Sequence, residues 1–395
     1  MEIKVTMRIM FLSGSYWPSL DGVAHVTEYL AEGLAKKHEV LLLAPYGIST
    51  VQYEELNGVK IERIRAKRIH RCSVHGDKRV ALKRIREYKP DVLIIVGIQN
   101  WGFDWTKGKF DKLPGKKVLM THGSSCLGEY SVWNKIRKIK LRREILTDLL
   151  DVFIEWYWKR YQKSFPQHMM QFDMVTYLFD REPLYLYMRD YSMKKEIILE
   201  NATEDFFFTR KAYLIDREKP IVFINVSNYE DRKNQKLILE AYYEANIFDS
   251  KLILIGSKKN EYYQELLKEN EEFAAKKNKC QKADVFAGLK REEVLCIYKE
   301  ADVYLSASRW EAMSISICEA AAAGLTIIST DAGHVSDIPG VYLFNTKEEL
   351  MGIMRKIYEN PDLRAESGRK AYEYAENKYR IQSKVDYLEK NLVQL

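Results

Sequence analysis

Ala301-Asp-Val-Tyr-Leu-Ser306-Ala-Ser-Arg-Trp-Glu311-Ala-Met-Ser-Ile-Ser316-Ile-Cys-Glu319-Ala-Ala-Ala-Ala-Gly324-Leu-Thr-Ile-Ile-Ser329 decides the fold. Ala301–Ser306 is an apolar run with strand character, Glu319 opens a small-residue run that favours helix, Gly324 stops it, and Leu325–Ser329 is a second strand. In such a strand-loop-helix-strand unit, the helix start carries unpaired backbone N–H groups and partial positive charge, so it can hold a phosphate. Glu311 and Glu319, eight positions apart, would then flank an anion rather than repel one another. A capping box between Ser316 and Glu319 is the purely structural alternative. It accounts for Glu319 and leaves Glu311 unexplained.

Working outward, the same alternation runs the length of the chain. Strands are predicted at Arg8–Leu12, Val40–Ala44, Val59–Ile64, Val92–Val96, Val118–Thr121 and Met174–Leu178, and again at Ile221–Val226, Lys251–Ile255, Asp284–Phe286, Val303–Ser306, Leu325–Ser329 and Val341–Phe344. Helical patterns at Val26–Lys37, Gln235–Glu244, Glu292–Glu300 and Lys347–Glu359 separate many of them. This is the signature of α/β architecture with doubly wound parallel sheets. Two such series in 395 residues, more than one core usually supports, predict two similar domains in tandem. The boundary is placed in the polar and charged stretch between Asn201 and Pro220, giving domains of residues 1–205 and 206–375. A charged helical tail, residues 376–395, is expected to pack back on the first.

Charge is uneven. Residues 1–200 hold 34 Lys and Arg against 24 Asp and Glu, so the net +7 of the chain comes from this half. Basic clusters at Lys60–Lys89 and Lys107–Arg143 suit an anionic membrane surface or an anionic acceptor, or are simply solvated faces. No nucleic-acid-binding signature accompanies them, so nucleic acid is not expected as a partner. The segment Trp133–Lys163 combines a basic first half with Phe153, Trp156, Tyr157, Trp158 and Tyr161. It reads as an interfacial membrane helix or as an ordinary helix burying its apolar stripe. Five scattered cysteines without a CxxC pair, and no apolar run of spanning length, predict a cytoplasmic chain with at most peripheral contact at the inner face of the membrane.

Ligands of open parallel sheets bind beyond the carboxyl ends of the strands, which directs attention to four loops. The first strand leads to Asp21-Gly22, where glycine permits close approach to a ligand or serves as a turn. Val118-Leu-Met-Thr-His122 puts an imidazole at a strand end, able to hydrogen-bond a sugar hydroxyl or to serve as a structural histidine. Ser227-Asn-Tyr-Glu-Asp-Arg232-Lys233 offers two adjacent cations that could neutralise a diphosphate or pair in solvent. The fourth loop carries Glu311.

Residues 7 to about 390 resemble the retaining glycosyltransferases of family 4. The resemblance rests on Trp17-Pro18…Gly22-Val23, Thr121-His122-Gly123, Glu200-Asn201, Arg232-Lys233, the Gly256 and Gly288 turns, Glu311…Glu319 with Gly324, and Thr330-Asp-Ala-Gly333. It implies the GT-B fold, two Rossmann-like domains facing each other across a cleft, with the acceptor on the first and a nucleotide sugar on the second. It also implies transfer from a nucleotide diphosphate sugar, a UDP-sugar foremost, to a surface polysaccharide or glycolipid acceptor, without a metal or other cofactor. Carried over residue by residue, Glu311 contacts donor-sugar hydroxyls near the reaction centre, and His122 contacts the transferred sugar. The backbone of Met313, Ser314, Ile315 and Ser316 holds sugar and phosphate. Lys233 binds the diphosphate, with Arg232 beside it, Glu319 binds the ribose, and Gly22 lies near the phosphates. The chain departs from the pattern at Asn228, where the family has arginine, at Ala312-Met313-Ser314, where it has Gly-Phe-Gly, and at Ala202, where it has glycine. Two rivals remain: a nucleotide-sugar epimerase, which can share this fold but is disfavoured by the Glu311…Glu319 context, and a non-catalytic partner protein, suggested by Asn228 and Ser314.

Overall fold

The computed structural model describes residues 6–19, 21–47, 49–69, 72–123, 145–209, 219–276 and 282–395, with side chains for all of these except 145–149 and 151. The chain divides into two compact units. The first is Met1–Leu199 together with Lys384–Leu395, and the second is Glu200–Ser383.

The first unit runs β1 (Arg8–Leu12), α1 (Gly22–Ala35), β2 (Glu39–Pro45), β3 (Tyr53–Leu56), β4 (Val59–Ile64), β5 (Ala66–Ile69), β6 (Ser73–Gly76), α2 (Lys78–Tyr88), β7 (Val92–Val96), α3 (Trp101–Thr106), β8 (Lys116–Met120), α4 (Ile145–Met169), β9 (Met174–Tyr177), α5 (Pro183–Met188) and β10 (Glu196–Ile198). Its main sheet has the order β10-β9-β8-β7-β1-β2-β4-β3 and is parallel except for the antiparallel edge pair β3-β4. Central strands such as β7, with all five residues buried, read as unbroken apolar runs because helices cover both faces.

The strands that sequence patterning misses, β3, β5, β6 and β10, are short and carry exposed polar or charged residues, so no apolar run announces them. They also correct the view of Lys60–Lys89 as a free basic surface. Arg63 is buried against Glu54 and the Trp17 carbonyl, Arg65 pairs with Asp77 at 2.8 Å, Arg68 with Asp104 at 2.6 Å, and Arg84 with Glu62 at 2.5 Å. Acidic partners near and far in sequence thus absorb much of that charge. In α4 the stripe Trp158, Tyr161, Phe165 and Met169 enters the core of this unit. Residues 133–144 of the expected helix lie outside the described residues.

The second unit contains β11 (Ile221–Val226), α6 (Gln235–Ala245), β12 (Ser250–Gly256), α7 (Glu261–Lys276), β13 (Asp284–Ala287), α8 (Arg291–Glu300), β14 (Val303–Ser306), α9 (Ile315–Ala322), β15 (Thr326–Ser329), β16 (Tyr342–Leu343), α10 (Lys347–Glu359) and α11 (Pro361–Lys378). Its sheet, entirely parallel, has the order β13-β12-β11-β14-β15-β16. The chain leaves β11 toward one edge and returns to β14 on the other side, so β11 and β14 are neighbours, with Ile224 opposite Tyr304. Ligands of open parallel sheets bind beyond the carboxyl ends of strands placed like these two.

A last helix, α12 (Ile381–Val393), follows. Within the first unit, Glu389 reaches Lys37 at 2.6 Å, and Val385 packs where any side chain at Gly33 would collide with it.

Candidate functional site

The residues after β11 and β14 meet in the second unit. After β11 the chain forms a tight turn, Asp231–Lys233, and Asn234 adopts a left-handed conformation (φ 53°) before α6 begins. This turn buries Lys233 and directs its Nζ onto Glu311 Oε1. Arg232 Nη1 donates to Glu311 Oε2 at 3.2 Å and to the Trp310 carbonyl at 2.9 Å, while Nη2 donates to Glu230 at 2.6 Å. Both cations therefore converge on one buried carboxylate. Removing one side of such a pair strands the other in a low-dielectric site, at a cost of several kcal/mol.

Asn228, which stands where an arginine was expected, accepts from Ser257 Oγ at 2.7 Å, and its carbonyl accepts from Gln235 Nε2 at 2.9 Å. It ties the loop together and adds no charge. Its neighbour Tyr229 lies against Gly256, where a Cβ would collide with the ring, and donates toward the carbonyls of Phe286 at 2.7 Å and Leu254 at 3.0 Å.

The other wall is the start of α9. Its N-cap is Ser314 and its first residue Ile315, so Ser316 lies inside the first turn. The Ser316–Glu319 capping box therefore does not form. The Ser316 hydroxyl bonds instead with Tyr304 Oη at 2.8 Å and Ser314 Oγ at 3.0 Å, and Glu319 points away from the cap. The first amides of α9 have no acceptor within the helix and remain available to an anion. Met313, just before the cap, is buried, and Asn201 Nδ2 donates to its carbonyl at 2.9 Å. Gly333, at φ 74°, passes so close to the Ala312 carbonyl that a Cβ would clash with it. That close approach braces the Ala312-Met313-Ser314 loop from behind.

Glu319 is fully buried, and its Oε1 lies 2.5 Å from Arg291 Nη2. Burial pushes its pKa up and Arg291 partly offsets that. Its Oε2 has no hydrogen-bond partner among the described residues. Arg291 and Glu204 were not foreseen as site residues: they are 87 positions apart, without a local pattern to link them.

His122 and Gly22 belong to the first unit. His122 follows β8 in a left-handed conformation (φ 50°), and its Nε2 is buried without a partner among the described residues. Burial lowers its pKa to about 4, with Asp21 acting in the opposite direction, so the ring is neutral at pH 7. Gly22 is the first residue of α1, whose N-cap Asp21 accepts from Ala24 N at 2.9 Å. The preceding Thr121 hydroxyl lies 2.9 Å from the Thr176 carbonyl and 3.3 Å from Glu182 Oε1, and Glu182 Oε2 accepts from Leu178 N at 2.7 Å. Burial raises the Glu182 pKa to about 7, against the effect of those two donors.

Residues 206–374 match the model of the family described as glycosyl transferases group 1. No curated protein matches the sequence. Among solved structures, sucrose-phosphate synthase from Thermosynechococcus elongatus aligns with a TM-score of 0.70 at 15% identity, over 98% of this chain and 98% of that one. Anabaena HepE in complex with UDP aligns at 0.71 and 15%, over 98% and 100%. WaaG, a glycosyltransferase involved in lipopolysaccharide biosynthesis, aligns at 0.66 and 16%, over 97% and 99%. The chain thus has the α/β GT-B fold these structures share. The family match covers the sheet that carries Lys233, Glu311 and Glu319, and stops short of His122 and Gly22 in the first unit.

Proposed function

We propose that this protein is a retaining, metal-independent glycosyltransferase that moves a sugar from a nucleotide diphosphate sugar to an acceptor in surface polysaccharide or glycolipid synthesis. The convergence of Lys233 and Arg232 on Glu311, beside the start of α9, carries the proposal. Lys233, Arg232 and the amides at Ser314–Ser316 stabilise the charge that builds on the departing diphosphate. As the bond from the sugar C1 to the phosphate oxygen breaks, the acceptor oxygen bonds C1 on the same face, and the departing phosphate takes the acceptor's proton. Glu311 orients the sugar through its hydroxyls, Glu319 accepts from the ribose, and neutral His122 bonds the transferred sugar. The HepE complex with UDP favours a uridine nucleotide as donor.

The test is a panel of nucleotide sugars screened by thermal stabilisation and by hydrolysis or transfer, on the wild type and on Glu311→Ala and Lys233→Ala. Both variants are expected to remain folded and lose transfer. Full activity in both would overturn the site, and conversion of a nucleotide sugar with no acceptor consumed would point to the epimerase.

The acceptor is assigned to a lipid-linked glycan at an anionic membrane surface. On α4, Phe153 and Trp156 are half exposed and lie on one face with Arg160, Lys163 and Gln167, opposite the buried stripe. Arg160 lies 5.7 Å from the Trp156 ring centre. Among the described residues no helix is long and apolar enough to cross a membrane, so contact would be interfacial. Flotation with vesicles containing anionic lipid should carry the wild type upward at low salt and leave a Phe153→Ser, Trp156→Ser double variant behind. A wild type that stays at the bottom of the gradient removes the membrane from the proposal.

A further inference from the structure

Arg291 is a cation that no sequence motif singles out, at the start of α8. Its Nη2 is 2.5 Å from Glu319 and 2.7 Å from Glu204 Oε2, and its Nε lies 3.2 Å from Glu204 Oε1. The guanidinium stands 4.7 Å from the centre of the Phe207 ring. Burial disfavours the Arg291 charge, but its two carboxylate neighbours outweigh that and hold its pKa above the ordinary value. One face of a planar, five-donor group is thus anchored to the Glu204–Phe207 segment, and a remaining N–H is spent on Glu319.

Glu319 is left with one oxygen engaged and one, Oε2, buried without a hydrogen-bond partner among the described residues. A buried acceptor left in this state is destabilising, and a ligand hydroxyl that reaches it removes that penalty. We propose that Arg291, anchored by Glu204 and Phe207, is the positioning residue that holds Glu319 ionised and turned so that only Oε2 accepts from the donor's ribose. This rests on the proposed function for the identity of the ligand, while the grip of Arg291 on Glu319 is independent of it. The groups facing Glu319 are Arg291, Glu204, Tyr298 and Tyr304. Among these, Arg291 is the only cation and opposes the effect of burial on Glu319 most strongly, with a smaller contribution from Tyr298.

The experiment has two arms, both on the full chain. In the first, melting temperature without ligand is followed from pH 5 to 9. Arg291→Gln should melt progressively lower than the wild type as pH rises, because ionising an unpaired buried Glu319 then costs stability. The Arg291→Gln, Glu319→Gln double variant should lose that slope. In the second, UDP affinity and steady-state kinetics are measured between pH 7 and 9. Arg291→Gln should bind UDP about tenfold more weakly at pH 7 and recover toward pH 9, with donor KM raised and kcat held. Arg291→Lys should bind more weakly than wild type with no change in the pH profile. A uniform loss at every pH, a flat melting slope in Arg291→Gln, or a fall in kcat alone overturns the inference. A wild type that binds no UDP while the first arm holds overturns the nucleotide assignment and leaves the Arg291 grip in place.

Discussion

The two units differ in what accompanies the buried polar groups at their strand ends. In the first, half-buried His122 and buried Glu182 have no charged partner in bonding reach among the described residues, and desolvation moves each toward its neutral form, His122 down to about 4 and Glu182 up to about 7. In the second, Glu311 is buried between Lys233 and Arg232, and Glu319 faces Arg291. Desolvation acts on both sides, and what differs is whether a cation was folded in with the carboxylate. A neutral strand end suits hydrogen bonds to a sugar. One with paired charges can release a lysine to a diphosphate, because the anion replaces the carboxylate it leaves.

Three changes would break or sharpen this contrast. Lys233→Ala should have the largest effect, a fall of about 10²–10³ in transfer, measured as product formed at saturating donor. A loss below tenfold would mean the charge pairs of the second unit are structural.

His122→Ala should cost less, about 10- to 100-fold in kcat/KM, without weakening UDP binding. Since burial keeps His122 neutral above about pH 4, wild-type activity should show no inflection near 6.5 from this residue. An inflection there that vanishes in the variant would show a charged histidine and remove the contrast.

Glu182→Gln should have the smallest effect, on stability alone. With its folded pKa raised from 4.5 to about 7, the native state holds a proton that the unfolded chain releases between those values. That contribution is complete below about pH 4.5 and is lost as pH rises through 7. A protonated Glu182 can donate to Thr121 while Thr121 donates to the Thr176 carbonyl, so one hydroxyl can serve the contacts at 3.3 Å and 2.9 Å. The amide variant keeps this pattern at every pH, so it should be more stable than wild type at pH 8, on the order of 3 kcal/mol, and close to it at pH 4.5. Matching melting curves for both proteins at every pH would remove Glu182 from the account.

Much of this was legible in one dimension. Val92–Val96 and Ile221–Val226 are strands with the bounds their mostly apolar runs suggest, because strands buried on both faces read as near-continuous hydrophobic runs, Asn225 being the one polar residue in the pair. Lys347–Glu359 likewise forms a helix of the expected extent, opened by a Thr346–Glu349 capping box. The Ser316–Glu319 box failed by a shift of two residues in the helix start, which matters because a cap works only from the N-cap position. The exposed hairpin of β5 and β6 was invisible, since its residues alternate without an apolar side strong enough to read.

Spacing along the chain determined that Glu311 and Glu319 stand on either side of a helix start, and local propensity determined the strands around them. Which charge each would meet was decided only in three dimensions. Lys233 reaches Glu311 because β11 and β14 are neighbours, although 78 residues separate the two side chains. Arg291 reaches Glu319 because α8 returns beside the Glu204–Phe207 segment. Periodicity reports which face of an element is buried, but not what that face is buried against. Electrostatic pairing depends on separations of a few ångströms between elements, so it comes from sheet order and loop path rather than from residue type.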